Sequence, residues 1–380
     1  MKGSTIKRGN TWTAYWFTTD PATGKRRQHS KGGFRIQRDA RAHLNGILEK
    51  VEQGAWRPDA KMTVDTLLSD WLAAKRAQGL RPATIEQYVN VIDAWILPHI
   101  AALDVRQVTP TTVGQLVDTL RVSGSRLGRG GLSDRSVQLV VTVLKAATAW
   151  AVTTGLLARD PLAGYRRPRA LTSHAVGGAW SAYEARAFLA ATSTDRLAAA
   201  WSLLLARGLR RGELAGLRWD AVDLEVGSLR VVATRVVVGG KAVESTPKTD
   251  AGRRSVPLDG HLVTLLRSHR ARQAEERLAA GPAWADTGHV LVNELGEPYH
   301  PDYFSDRFTD LAKAAGLRRI RLHDTRHTAA SLMLASGVPV KVVSDLLGHS
   351  SPTITLSIYA HTMPGMGAAA GEALSAALLG

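Results

Sequence analysis

Between residues 63 and 154 apolar side chains recur at intervals of three and four, a spacing that commits the middle of this chain to helix. Thr63 is placed to cap a helix carrying Val64, Leu67, Leu68, Trp71 and Leu72 on one face. A second helix is predicted from Pro82 onward, with Ile85, Tyr88, Val89, Ile92 and Trp95 as its stripe. A third spans Thr111 to Leu120, and a fourth runs from about Ser133 to Thr154. Stripes of this kind bury against one another, so the expectation is a compact helical bundle. The loop Ser123 to Gly131 is glycine-rich and carries Arg126 and Arg129, but it lacks the spacing of a phosphate-binding loop. Tyr165-Arg166-Arg167-Pro168-Arg169 reads as an exposed basic linker.

At 380 residues the chain is too long for one ordinary core. The segments flanking the bundle differ from it in character, which predicts three domains: 1–60, 61–172 and 173–380. In the first, Thr11 to Phe17 reads as a strand, Asp20 to Lys25 as a turn, Arg26 to Ser30 as a returning strand, and Gln37 to Gln53 as a helix closed by Gly54. The fold expected there is a three-stranded sheet plus a helix. In the last, Ser181-Ala182-Tyr183-Glu184 is a capping-box signal for a helix through Phe188 and Leu189, and another helix covers Leu197 to Ala206. Leu229 to Val238 and Lys241 to Lys248 straddle Gly239-Gly240 as a hairpin, with Arg254-Ser255-Val256 as a third strand. The remainder is predicted to be helical, ending in the Ala-rich Ala368 to Leu379. The class is multidomain, mainly α with small β-sheets.

The net charge of +16 is uneven: the first 172 residues supply 13 of the 16 excess positive charges. Clustered cations favour a polyanionic partner, because each neutralised phosphate releases counterions. Lys25, Arg26, Arg27, Lys31 and Arg35, interleaved with aromatics in a predicted ribbon, suit a nucleic-acid groove, as do Arg126, Arg129, Arg166 and Arg167 in the loop and linker. A solvated basic surface accounts for the same charges without a partner. There is no cysteine, so disulfides and thiolate metal sites are excluded. No uninterrupted apolar run reaches ~18 residues and the first ten are polar and basic, so a cytoplasmic protein is the expectation.

Chemistry concentrates in the last 180 residues. Gly208-Leu209-Arg210-Arg211-Gly212-Glu213, Lys248, Leu322-His323-Asp324-Thr325-Arg326-His327 and Leu347-Gly348-His349 with Tyr359 form one set. Arg210 and Arg326 suit phosphate oxygens, because guanidinium forks bind them bidentately and stay charged. His323 and Arg326 are three apart, which a helix places on one face. His349 can add a hydrogen bond, Lys248 at a hairpin tip can act as general acid, and Tyr359 can attack phosphorus. Singly, each has a duller reading: a solvated arginine pair, turn chemistry, a helix cap, a packing tyrosine. The zinc-protease pattern His-Glu-x-x-His is approached by His323 and His327, but Asp324 is one methylene short of its general base and Arg326 would repel a dication.

In their order and spacing these boxes resemble the tyrosine recombinases, in particular integrases of temperate phages and integrative elements of actinobacteria. The resemblance maps the first catalytic arginine onto Arg210 rather than Arg211, the supporting acid onto Glu213, the hairpin lysine onto Lys248, the His-x-x-Arg box onto His323 and Arg326, and the second histidine and nucleophile onto His349 and Tyr359. It implies an arm-site-binding domain over 1–60, a helical core-binding domain over 61–172 and an α+β catalytic domain over 173–380. It also implies strand cleavage through a covalent 3′-phosphotyrosyl link, with no cofactor and no metal. The implied partners are double-stranded DNA attachment sites, core and arm, a homotetramer on DNA, an accessory DNA-bending protein and an excisionase. A type IB topoisomerase-like relaxing activity shares the chemistry, and obligate tetramers and paired target sites would discriminate against it; a DNA-binding regulator would explain the charge but gives no reason for Lys248, His323, Arg326, His349 and Tyr359 to coexist.

Binding of duplex DNA by residues 1–60 is expected to weaken steeply with salt, as phosphate-driven association does; titrating the fragment across a salt series checks this, and a flat response contradicts it.

Overall fold

The computed structural model describes residues 3–19, 26–52, 62–125, 130–166, 178–247 and 252–349, with 351, 353, 355, 356, 375, 376 and 378. Its contacts divide the chain into two compact units, residues 1–172 and 173–380.

In the first unit, strands β1 (Ser4–Arg8), β2 (Thr11–Thr19) and β3 (Arg26–Phe34) form an antiparallel sheet in that order, and helix α1 (Gln37–Glu52) packs on it. Ala14 and Trp16 of β2 are buried with Leu44 of α1, and His29 stacks on Trp16 at 5.9 Å. β3 runs four residues past its predicted end at Ser30, through Gly32 and Gly33, and its pairing with β2 shifts register by one residue between Trp12 and Ala14. The predicted turn and the capping Gly54 lie outside the described residues.

The bundle comprises α2 (Val64–Ala77), α3 (Pro82–Val91), α4 (Leu97–Ile100), α5 (Pro110–Ser123) and α6 (Asp134–Thr153). Thr63, Thr109 and Ser133 cap α2, α5 and α6 by accepting from the backbone N–H three residues on. The predicted second helix is not uniform: Ile92–Ile96 loosen into a π-turn before α4. Pro98 explains this, since its ring would clash with the Ala94 carbonyl in a continuing α-helix and it has no N–H to give. α6 is long and apolar enough by length and composition to cross a membrane, yet Val137, Val140, Val141 and Leu144 are buried in the bundle core with Trp71, Ile96 and Leu120. Tyr165, expected in the exposed linker, instead packs against that core, and its carbonyl accepts Lys145 Nζ at 2.8 Å.

The second unit is built around an aromatic cluster of Trp180, Phe188, Trp201 and Phe308, whose neighbouring rings lie 5.1 to 6.2 Å apart. These residues tie together α7 (Ala182–Ala191), α8 (Ala198–Arg207) and α11 (Pro301–Ala314). The predicted capping box of Ser181 and Glu184 starts α7. Trp180 also fastens α12 (Asp324–Ala335): its backbone N–H donates to Thr328 Oγ1 at 2.9 Å, and its indole N–H to the Arg318 carbonyl at 2.9 Å. The short helix α9 (Arg211–Ala215) comes directly after α8, and α10 (Gly260–Ala280) and α13 (Val340–Leu347) lie further along the chain.

Two β expectations are corrected. The single strand predicted over Leu229 to Val238 breaks at Val232-Ala233 into β5 (Ser228–Val231) and β6 (Thr234–Val238). β5 buries Leu229 and Val231 in the core and lies between β4 (Val222–Asp223) and β8 (Arg254–Pro257), whereas β6 pairs only with β7 (Lys241–Ser245) among the described residues. Arg254-Ser255-Val256 therefore joins the β4–β5 sheet and not the hairpin. Gly239 and Gly240, at φ 58° and 73°, make the hairpin tip, so Lys248 comes after β7 in the chain rather than sitting at that tip. A helical expectation for residues 281–300 is corrected as well. Beyond a single turn at Gly281–Ala283 they run irregularly, with bridges Arg218–His289 and Val292–Pro298, because Gly281 ends α10 and Pro282 and Pro298 oppose its continuation.

Candidate active site

The site is assembled where α8, α9, α12 and α13 end or begin. α8 stops at Gly208, which takes the left-handed conformation (φ 62°), and a Cβ there would stand 2.5 Å from a Leu347 methyl carbon. Glycine is required on both counts. The turn lets Arg210, in extended conformation, cap α9. Its backbone N–H donates to Glu213 Oε2 at 2.9 Å, its Nη1 to Glu213 Oε1 at 2.7 Å, and its Nη2 to the Gly348 carbonyl at 2.9 Å. Arg211 points elsewhere, donating to Asp302 at 2.5 Å and Ser305 at 3.2 Å. The two adjacent arginines thus have separate partners.

Arg326, in the first turn of α12, is buried; its Nη1 donates to the Gly208 carbonyl at 2.8 Å and its Nη2 to the Leu347 carbonyl. His323 is the N-cap of α12 and exposed, one turn before Arg326. α13 ends at Gly348, again left-handed (φ 66°), and the His349 N–H closes the turn on the Ser344 carbonyl at 3.0 Å. His349 Nδ1 lies 2.8 Å from Oγ1 of the buried Thr355. The tautomer in which that hydroxyl donates leaves Nε2–H as a free donor direction.

Charge is distributed so that the imidazoles are neutral and the carboxylate is not. Burial pushes the His349 pKa down to about 4, helped by Arg326, Arg210, His327 and Arg254. His323 is lowered by desolvation, then by His327, Arg326 and Arg210. His327 is lowered too, by desolvation, which Asp324 opposes and Arg321 and Arg326 reinforce. Burial would raise the Glu213 pKa, but hydrogen bonds and charge from Arg254 and Arg210 win and hold it below the usual carboxylate range.

The structure thus gathers Arg210, Glu213, Arg326 and His349 directly and sets His323 at their edge. Lys248 and Tyr359 lie outside the described residues. Sequence reasoning missed Arg254, which grips Glu213 with both terminal nitrogens at 3.0 and 2.9 Å; nothing in an Arg-Arg pair opening a strand marks one member as buried. It also missed Thr355. The resemblance of His323, Asp324 and His327 to a zinc motif dissolves, because buried Asp324 is held by three donors of Arg321 and the two rings meet edge to face at 5.5 Å.

Of the residues expected at a nucleic-acid surface, Arg26, Lys31, Arg35 and Arg166 are exposed. Arg26 lies over the Phe17 ring at 4.1 Å, on the sheet face opposite the buried Trp16, while Lys31 pairs with buried Ala14. Lys25, Arg126, Arg129, Arg167 and the side chain of Arg27 lie outside the described residues.

Residues 181–365 match the model of the phage integrase family, residues 4–51 an arm DNA-binding domain, and residues 63–121 the N-terminal SAM-like domain of phage integrases. A XerC-like tyrosine recombinase of Caldanaerobacter subterraneus subsp. tengcongensis is 28% identical over 348 residues, covering 87% of each chain. Tyrosine recombinase XerC of Xylella fastidiosa is 30% identical over 238 residues, 61% of this chain and 72% of the relative. Among solved structures, the Tn1549 transposon integrase in complex with a circular intermediate DNA superposes with a TM-score of 0.67 at 20% identity, over 82% of this chain and 99% of that one. A lambda integrase tetramer bound to a Holliday junction gives 0.56 at 19% identity, over 90% and 92%.

With a folded pKa of about 4 against an ordinary 6.5, His349 binds fewer protons folded than unfolded between those values. Its contribution to stability is full above pH 6.5 and is lost as pH falls toward 4. Imidazole NMR titration is expected to find His349 neutral down to about pH 4, and His349→Gln to flatten the acid-side fall in melting temperature. A His349 titration near its ordinary value contradicts the burial described.

Proposed function

This chain belongs to the phage integrase family and is a tyrosine-type site-specific DNA recombinase, and we propose that it integrates and excises a mobile element through the residue set gathered at α13. The observation that carries the assignment of roles is the convergence of Arg210 and Arg326 on adjacent carbonyls, with His349 next in the chain. Guanidinium forks bind phosphate oxygens bidentately and stay charged, so the pair can take the non-bridging oxygens of one phosphate and stabilise the charge that develops there. Arg210, with 38% of its side chain exposed, offers the accessible fork. His349 adds its Nε2–H, and being neutral it can donate without carrying charge of its own.

Tyr359 supplies the nucleophile. Its Oη–P bond forms as the P–O5′ bond breaks, leaving a 3′-phosphotyrosyl link and a 5′-oxygen that takes its proton from Lys248. The phenol proton passes to His323, whose lowered pKa keeps it an unprotonated base at neutral pH. Attack of a 5′-hydroxyl from the partner strand reverses the sequence and rejoins the DNA. Because the phosphoryl bond is conserved in the link, the scheme uses no cofactor. Residues 1–60 would hold arm sites through Arg26, Lys31 and Arg35, with Lys25 and Arg27. The bundle would hold core sites, with Arg126, Arg129, Arg166 and Arg167 on the backbone. A homotetramer of the kind captured for lambda integrase on a Holliday junction is the working assembly. A DNA-bending protein and an excisionase would set direction, and the cytoplasm of a bacterial host, at its nucleoid, is the location this reading assigns.

Nicked suicide duplexes incubated in EDTA with wild type should yield a covalent adduct on denaturing gels, and Tyr359→Phe should yield none while binding duplex almost as tightly. Loss of adduct and of duplex binding together would contradict the assignment.

A further inference from the structure

We infer that Arg254 is a positioning residue for strand transfer, setting Arg210 through Glu213 and setting His349 through the end of α13. The inference rests on the recombinase reading and concerns a residue that neither touches the reacting phosphate nor lies in the sequence boxes that mark the site. Arg254 opens β8, and only 7% of its side chain is exposed, against 38% for Arg210. Its Nη1 and Nη2 donate to the two oxygens of Glu213 at 3.0 and 2.9 Å, and its Nε donates to the Leu346 carbonyl at 2.6 Å.

Glu213 is thereby shared. Each of its oxygens receives one donor from Arg254 and one from Arg210, the latter through backbone N–H and Nη1. A buried carboxylate held at four points has one orientation, and Arg210 takes its own orientation from it. The second arm of Arg254 fixes the carbonyl three residues before His349. One planar fork therefore indexes the first arginine of the site against the helix end that presents the histidine. An ammonium could satisfy at most part of this, because three fixed directions in one plane are a guanidinium's property. Arg254 also stands six positions after Lys248 at the start of a paired strand, so it anchors the far end of the segment that carries the general acid.

The test measures single-turnover cleavage of a suicide duplex by the full-length protein, as a function of pH, for wild type, Arg254→Gln, Arg254→Lys, Glu213→Gln and the double variant Arg254→Gln/Glu213→Gln, with duplex affinity and melting temperature alongside. Formation of adduct by wild type establishes the underlying reading independently of any Arg254 result. Positioning predicts a cleavage rate lowered about 100-fold in Arg254→Gln, the scale of an ångström-sized misplacement, with duplex affinity unchanged. It predicts no recovery in Arg254→Lys, and a double variant no slower than the slower single one. It further predicts that the acid limb of the rate profile moves to higher pH in Arg254→Lys and Arg254→Gln, since burial then raises the Glu213 pKa with less to oppose it. Wild-type rate in a folded Arg254→Lys overturns the proposal. So does a loss that only tracks the unfolded fraction, with the acid limb in place.

Discussion

Three successive carbonyls at the C-terminal end of α13 each hold a guanidinium: Leu346 takes Arg254, Leu347 takes Arg326, and Gly348 takes Arg210. The last carbonyls of any helix lack intrahelical partners and carry the negative end of its dipole, so this is a site that wants cations. Each such contact is worth about 0.3–2 kcal/mol at a helix end. Their larger consequence is geometric, because three side chains from separate elements are registered against one rigid backbone ladder. Gly208 and Gly348, both left-handed, end α8 and α13, and a Cβ on Gly208 would run into a Leu347 methyl group.

Gathering three arginines is costly unless something opposes their charge. Glu213 does so from within, buried and ionised between two of them, and removing one member of such a buried group typically costs about 3–5 kcal/mol. The imidazoles respond in the opposite sense. His349, His323 and His327 all titrate below their ordinary range, so they add hydrogen-bonding capacity without adding positive charge at neutral pH. Among the described residues, the arginines supply the positive charge of the pocket. That is the condition in which a phosphodiester is attracted and a phenol proton still has a neutral base to go to.

Much of this was readable in the sequence because it depends on local signals. The capping residues Thr63, Ser133 and Ser181 mark their helices, the apolar stripes of the bundle are its core, and the arginine and histidine boxes lie where the chain brings them together. What was not readable depends on tertiary context. The break at Val232-Ala233 occurs because β5 is drawn into the core while β6 pairs outside it, and no periodicity announces that division. Tyr165 looks like linker until the bundle offers it a surface. Arg254 sits next to Arg253 with nothing in composition to separate them; only the distant Glu213 and Leu346 carbonyl make one of them structural.

The central claim is that the arginines are already in place before DNA arrives and stay on their carbonyls during chemistry. Its most direct test is the structure of this recombinase trapped on nicked duplex with orthovanadate in place of the scissile phosphate. The account predicts that Arg210 and Arg326 bond the vanadate oxygens while keeping the Gly348 and Leu347 carbonyls. Arginines found on vanadate but released from α13 would contradict it.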